Sequence, residues 1–218
     1  MLNESTVNKA LAEIGYDRMA CHVYRATWST EIEHFLYLEL YGTPKEYLAV
    51  DFGLRNRAAE SFAIRATKMY DTYLHELLQR DRRNDCLIRG SLGELASWGI
   101  RSSVSISSLS DDDLAVQITQ DIKQKLFPVI RSVTDASQFL KFLAANAEPC
   151  PWFRCNGAIR AAMIAYLGRQ TKMTSEETCS LLSPHKREIS YHLVDNKIDA
   201  DAYIKKIMDE APRGSVTD

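Results

Sequence analysis

The sequence lacks most of the features that reveal a protein's function directly. Its 218 residues carry a formal net charge of −2, so overall charge gives no case for nucleic acid or an anionic membrane as a partner. No apolar run approaches the roughly 20 residues that a membrane span needs. The amino terminus is polar rather than a basic patch followed by an apolar run. We therefore expect a cytoplasmic protein that does not enter a membrane.

Cysteine chemistry and catalytic motifs are also missing from the sequence. The five cysteines form an odd, scattered set, which is typical of reduced thiols. Cys150 and Cys155 are the closest pair, and their spacing fits neither a CxxC redox motif nor a zinc knuckle, so we interpret them as packing residues. The chain has no GxSxG elbow and no phosphate-cradling glycine loop. We expect no cofactor, and an enzyme is the less favoured class.

What the sequence does contain is a long segment of period-two alternation between His22 and Leu54. Two alternating runs, EIEHFLYLELYG and EYLAVDFGL, flank a turn of Gly42-Thr43-Pro44-Lys45. This pattern predicts an antiparallel hairpin with one face on a core. His22 to Trp28 is predicted as a third strand of the same meander.

The opposite face of this hairpin carries aromatic and acidic residues, and we call it the tyrosine face. Its members are Tyr37, Glu39, Tyr41, Tyr47 and Asp51. Aromatic pairs across strands stabilise an open sheet, which explains the pattern without any partner. Tyrosines also bury a large area in protein interfaces, which favours a recognition surface. A helix packed over this face would make the tyrosines part of the core, and the sequence leaves these alternatives open.

Helical periodicity dominates the rest of the chain. Arg57 to Gln79 is predicted as one long amphipathic helix covering the apolar face of the sheet. Pro128 is expected to kink or end a helix that Ser110 begins. The remaining predicted elements are short strands at Cys86–Arg89 and Ser103–Ser107, and helices at Ser5–Ile14, from Thr134-Asp135 onward, and at Gly157–Leu167, Ser175–Leu182, Pro184–Asp195 and Ala200–Glu210. We place an α+β domain at 1–147 and a helical extension at 148–218.

Several of these segments together resemble a known family. The segments are GYDRMACHVYR, VDFGL, IRGSLGELASWG and DLAVQITQDIKQKLFPVIRSVTDASQFLKFL. Over residues 7 to 145 the chain resembles the bacterial family called domain of unknown function 4304. The resemblance implies an α+β fold and a bacterial origin. It implies no catalytic residues, because that family has no established activity.

A metal site is one alternative to a simple binding protein. His185, Glu188 and His192 have spacings that place all three on one face of a predicted helix. Zinc or iron would need a further ligand from elsewhere, and the pattern is not HExxH. Incidental histidines on a solvent-facing helix explain the same residues. A small metal-dependent hydrolase is the functional form of this alternative.

Nucleic-acid binding is the other alternative. The stretch MTSEETCSLLSPHKREISYHLVDNKI has a helix-turn-helix rhythm, with Lys186 and Arg187 on the helix that would enter the major groove. Several more cations would be needed to neutralise phosphates. A plain helical extension is therefore favoured over this interpretation.

We expect an α+β protein with an antiparallel β-meander covered by a long helix and a carboxyl-terminal bundle of short helices. The function that we expect is non-catalytic binding of another protein through the tyrosine face. An immunity or antitoxin-type protein, which masks a basic partner by electrostatic complementarity, is the concrete form of this hypothesis. The sequence determines neither the identity of the partner nor the oligomeric state.

Overall fold

The computed structural model describes residues 4–42, 46–79, 86–98, 102–106, 109–146, 153–194 and 197–212. Its internal contacts divide the chain into two compact units whose segments alternate along the sequence. The first unit comprises Met1–Leu54, Asn84–Thr134 and Pro151–Arg154, and the second comprises Arg55–Arg83, Asp135–Cys150 and Cys155–Asp218. The expected α+β class is confirmed. The expected boundary between 147 and 148 lies outside the described residues and stays a prediction.

The first unit is built on an antiparallel sheet, in which seven strands fall within the described ranges. These strands are β1 (Tyr16–Ala20), β2 (Val23–Ala26), β3 (Glu33–Tyr41), β4 (Tyr47–Arg55), β5 (Ile88–Ser91), β6 (Val104–Ser105) and β7 (Phe153–Arg154). They are ordered β1-β2-β3-β4-β5-β7. The first part of β4 (Tyr47 and Leu48) pairs with β6, and its later part (from Asp51 to Leu54) pairs with β5. The predicted meander of three strands is present as β2, β3 and β4, while β1 and β7 were not predicted. The predicted turn at 43–45 lies outside the described residues.

One face of this sheet forms the core of the first unit, as the period-two pattern predicts. Leu48, Val50, Phe52 and Leu54 are fully buried. Helix α1 (Glu4–Glu13) packs against β1, and the Tyr24 hydroxyl of β2 donates a 2.6 Å hydrogen bond to Oδ1 of Asn8 on this helix. His34 interrupts the apolar pattern of β3 but is also fully buried there.

The long helical run of the first unit extends from Asp111 to Ile130. The segment from Arg57 to Gln79, which was predicted as the long helix over the sheet, lies in the second unit. The run consists of α5 (Asp111–Asp121), a π-helical segment (Ile122–Leu126) and α6 (Phe127–Ile130). The predicted start is confirmed, because the Ser110 side chain accepts a hydrogen bond from the Asp113 amide. Pro128 lacks an amide proton and its ring crowds the preceding turn, and the wider π turn before it relieves both problems. The run therefore continues past Pro128 to Ile130 rather than stopping near Phe127.

The predicted helix from Arg57 to Gln79 is two helices. They are α2 (Arg57–Thr67) and α3 (Thr72–Leu78), and both lie in the second unit. The break occurs where the Asp71 side chain accepts a 2.8 Å hydrogen bond from the Leu74 amide and begins α3. The apolar stripe runs through this break, so periodicity alone conceals it. Within its unit α2 packs against α8.

The rest of the second unit is helical, and its boundaries follow the sequence signals closely. Its other helices are α7 (Ala136–Ala145), α8 (Gly157–Gln170), α9 (Ser175–Leu182), a 3-10 turn (Ser183–His185), α10 (Lys186–Leu193) and α11 (Ala200–Glu210). The predicted bounds of α9 and α11 are confirmed, and the predicted capping box joins Thr174 and Glu177. Helix α8 is buried over most of its length and contacts α7, α10 and α11.

The short α4 (Leu92–Leu95) in the first unit was not predicted. It begins directly after β5, where the Ser91 side chain accepts a hydrogen bond from the Glu94 amide, and its residues Leu92 and Gly93 are buried. Residues 80–85, a run of charges, and residues 148–151, which include two prolines, lie outside the described residues.

Candidate functional site

The tyrosine face of the sheet is partly covered. Phe35 and Tyr37 of β3 are 1% and 5% exposed, and they form a small hydrophobic cluster with Cys86, against which Val23 packs. Cys86 precedes β5, a strand that pairs with β4. The expectation that Tyr37 is an accessible contact residue is therefore wrong, because side chains from a distant part of the chain cover it.

The environment of Tyr37 explains this burial. Its hydroxyl donates a 3.2 Å hydrogen bond to Sγ of Cys86, and the guanidinium of Arg89 lies 4.0 Å from the centre of its ring. Gly53 makes the close approach possible, because a Cβ at this position would lie 2.9 Å from Sγ of Cys86 and 3.0 Å from the Tyr37 ring. The β4–β5 register pairs Gly53 with Arg89, which brings the arginine over this face. Tyr37 thus supports the surface without forming it.

The other four predicted residues remain at or near the surface. The rings of Tyr41 and Tyr47 are stacked with centres 5.6 Å apart, and both side chains are half-buried. The Glu39 side chain is 60% exposed, and its carboxylate lies 3.7 Å from the Arg89 guanidinium. Asp51 is half-buried on the neighbouring strand. This face therefore presents a stacked tyrosine pair, carboxylates and one guanidinium.

Arg89 is the residue of this surface that sequence reasoning missed. It was predicted to lie on a short strand, but nothing local indicates which strand it pairs with. The cation–π contact of Arg89 with Tyr37 can be identified only when the pairing of β5 with β4 is known.

The three side chains of the metal hypothesis belong to an ionic cluster of the second unit. The guanidinium of Arg160 on α8 forms an ion pair with the carboxylate of Glu188, and the Arg160 side chain is 2% exposed. Arg160 also donates a hydrogen bond to the carbonyl of Asn146. A buried guanidinium therefore holds the carboxylate that the metal hypothesis required.

The Arg160 guanidinium also disfavours a metal cation beside the two histidines of this cluster. His185 is fully buried in the 3-10 turn, and burial, reinforced by the nearby Arg160 charge, lowers its pKa to about 4. Burial and Arg160 also lower the pKa of His192. A cation disfavours a second cation at close range. Throughout the described ranges, no group of three or more potential ligands is placed to hold a metal ion.

The predicted helix-turn-helix cations lie in different surroundings. Lys186 is 2.6 Å from Oδ1 of Asp201 on α11, and this pairing raises its pKa. Arg187 is exposed on α10. Because Lys186 already has a carboxylate partner, phosphate would have to displace it. The arrangement of α9 and α10 therefore gives little electrostatic support for DNA binding.

Cys155, in the second unit, is a poor candidate for a catalytic nucleophile. Burial raises the pKa of Cys155 to about 12, against the opposing effect of Arg160. A thiol in this state is protonated near neutral pH and is a poor nucleophile. Cys150, its partner in the predicted packing pair, lies outside the described residues.

No family model, curated protein or solved structure matches this chain. The resemblance to domain of unknown function 4304 and the bacterial origin that it implies therefore stay predictions from the quoted segments. In the described part of the chain, no helix is both long enough and apolar enough to cross a bilayer.

Proposed function

We propose that this protein is a non-catalytic binding module whose tyrosine face contacts another protein. The observation that carries the proposal is the stacked pair of Tyr41 and Tyr47 beside the exposed carboxylate of Glu39. Tyrosine is among the residue types that contribute most to interface energies.

The support beneath this surface favours the same interpretation. Tyr37 of β3 contacts Cys86 and Arg89 of the β5 segment across β4, and these contacts support the outer residues from beneath. A preorganised surface loses less conformational entropy on binding than a flexible one. Cross-strand packing of Tyr41 and Tyr47 alone would not account for the exposed acidic side chain beside them.

The partner that fits best is a protein with a basic surface. Glu39 and Asp51, on adjacent strands, carry two negative charges against the single positive charge of Arg89, and a surface with net negative charge steers a cationic partner and fixes its register. An immunity or antitoxin-type role, in which the module masks a basic region of its partner, is the specific form of this proposal. The helix-turn-helix and hydrolase alternatives receive no comparable support, given the Lys186–Asp201 pair and the Arg160–Glu188 pair.

The test is an affinity capture from an extract of the source organism with three baits. These are the wild-type chain, the Glu39→Lys/Asp51→Lys variant, and a charge-matched control in the second unit, Glu76→Lys/Asp209→Lys, whose residues are exposed. We expect one stoichiometric protein to be retained by the wild type and by the control and lost by the tyrosine-face variant. Circular dichroism establishes that each bait is folded.

Two results would contradict the proposal. One is a partner that binds the tyrosine-face variant as well as it binds the wild type. The other is an empty capture with folded baits, followed by retention of the chain on DNA that weakens when Lys186 and Arg187 are replaced.

A further inference from the structure

A second surface of the first unit has the character of a ligand site, and we call it the Trp28 cleft. It is an open cleft of about 640 Å³ bounded by Trp28, Phe127 and Arg131. Its walls come from the end of α1, the turn after β2, and the π-helical segment with α6. A cleft of this size accommodates a small organic molecule.

The inner wall of the cleft is aromatic and closely supported. The rings of Trp28 and Phe127 meet edge to face with centres 5.4 Å apart, and Tyr16 packs edge-on against Trp28 at 4.9 Å. Gly15 has a φ of +90°, and a Cβ there would lie only 3.2 Å from the Trp28 ring. A glycine is needed both for this backbone conformation and for this contact.

Two cations line the cleft beside this aromatic wall. The guanidinium of Arg131 lies 4.9 Å from the centre of the Phe127 ring and 5.7 Å from that of Trp28, and Lys123 lines the same cleft. Neither side chain has a carboxylate partner within the residues that the structure describes. Glu13 supplies one carboxylate on the α1 side, so the three formal charges sum to +1. The cleft therefore favours a ligand that carries a single negative charge.

The π-helical segment explains how these side chains reach one face. Lys123, Phe127 and Arg131 are spaced four residues apart, and in a regular α-helix such a series rotates by about 40° at each step. The amide of Phe127 instead donates to the carbonyl of Ile122, five residues earlier. The wider turn offsets the rotation, so all three side chains line the cleft. A π segment of this kind is frequent at functional sites.

Polar atoms behind the wall are also unusual. The indole Nε1 of Trp28 and the hydroxyl of Tyr16 are buried without a hydrogen-bond partner in the described part of the chain. Buried polar groups in native proteins almost always have partners. The described residues contain other such atoms, including the Tyr41 and Tyr70 hydroxyls, so the shape and charge of the cleft are the stronger evidence for a site.

We propose that the Trp28 cleft binds a small planar aromatic monoanion, such as an aromatic carboxylate. Its ring packs against Trp28 and Phe127, and its anionic group lies between Lys123 and Arg131. Arginine recognises a carboxylate through paired N–H donors, and the aromatic wall holds the guanidinium for that contact. This site uses none of the residues of the tyrosine face, so it stands or falls independently of the proposed protein-binding function.

The test is calorimetric titration of the full chain with 1-naphthoate, benzoate and indole-3-carboxylate, each compared with its neutral carboxamide. We expect at least one carboxylate to bind with one-to-one stoichiometry and a millimolar or tighter Kd, which is the range for ligands of this size. Arg131→Gln and Lys123→Gln should each weaken it about tenfold or more, in keeping with loss of a charged hydrogen bond. Lys125→Gln is the matched control on the same segment, since Lys125 is exposed and does not line the cleft.

Three outcomes would overturn this assignment. The first is no binding of any of the three carboxylates at about 10 mM, well above the expected range. The second is binding that Arg131→Gln and Lys123→Gln leave unchanged, or that the carboxamides match. The third is loss of the captured protein partner in Arg131→Gln without any carboxylate binding, which would make the cleft a protein contact. Thermal melts of every variant separate loss of binding from loss of folding.

Discussion

The guanidinium of Arg89 lies 4.0 Å from the ring centre of Tyr37 and 3.7 Å from the carboxylate of Glu39. One side chain thus connects a buried residue of the tyrosine face with an exposed one. The buried part of this face stabilises the sheet, while Glu39 and the half-buried tyrosine pair lie at its surface. The predictions below separate these two roles.

Gly53→Ala tests the buried part. The added Cβ would meet Sγ of Cys86 at 2.9 Å, so we expect destabilisation of about 1–3 kcal/mol, as for overpacking in a core. Urea denaturation measures the change. Replacing Cys86 with alanine in the same chain removes the clashing sulfur and should restore part of the loss. The Gly53→Ala change would then cost less stability in a Cys86→Ala background than in the wild type. An equal cost in both backgrounds would show that the close approach of Gly53 to Cys86 is unimportant.

Tyr41→Ala and Tyr47→Ala test the part at the surface. If the stacked pair forms the centre of the interface, each truncation should weaken partner binding by about 2 kcal/mol or more, which is roughly thirtyfold in Kd. Tyr41→Phe keeps the ring stack and should retain most of the affinity. Calorimetry with the captured partner measures these changes. Wild-type affinity in both alanine variants would remove the tyrosine pair from the interface.

The parts of the fold that could be predicted are those fixed by local signals. The bounds of α9 and α11 follow from a capping box and from Asp199, whose side chain caps α11. Alternation correctly separated the core face of β4, where Leu48 to Leu54 are buried at every second residue, from its other face. In each case, the residues that determine the structure are close together in the sequence.

The features that could not be predicted depend on contacts between distant segments. Tyr37 was assigned to the surface because its own strand alternates, yet Cys86, from 49 positions further along, covers it. Similarly, the spacing of the residues around Glu188 suggests a metal site, whereas its actual partner, Arg160, lies on another helix. The residues next to Tyr37 and Glu188 in the sequence do not indicate that Cys86 and Arg160 are their partners.

The Arg160–Glu188 pair should be essential for the stability of the second unit. Glu188→Gln leaves a buried guanidinium without its carboxylate, and we expect a loss of about 3–5 kcal/mol in the free energy of unfolding. Lys186→Gln is the matched control, because it breaks an ion pair whose side chains are 47% and 70% exposed. That control should show little change, since exposed pairs contribute little. Equal effects of the two variants in urea denaturation would contradict the burial argument.

Acid should destabilise the first unit through His34. Burial lowers the pKa of this histidine from 6.5 to about 4, although its Nε2 donates a 2.7 Å hydrogen bond to the Val133 carbonyl, which opposes the shift. Between these two values the unfolded chain binds a proton that the folded chain does not. The stability is therefore complete above pH 6.5 and is lost as the pH falls towards 4, by about 3 kcal/mol in total.

His34→Gln isolates this contribution, because a glutamine amide can still donate to the Val133 carbonyl but does not titrate. Urea denaturation of both proteins between about pH 7 and pH 4 should show a shallower loss of stability in the variant. His185, whose pKa is also lowered to about 4, produces a parallel loss in the second unit, so the comparison depends on the difference between the two curves. Curves of equal slope would mean that His34 takes up its proton in the folded state as readily as in the unfolded one, which its complete burial against Trp28 opposes.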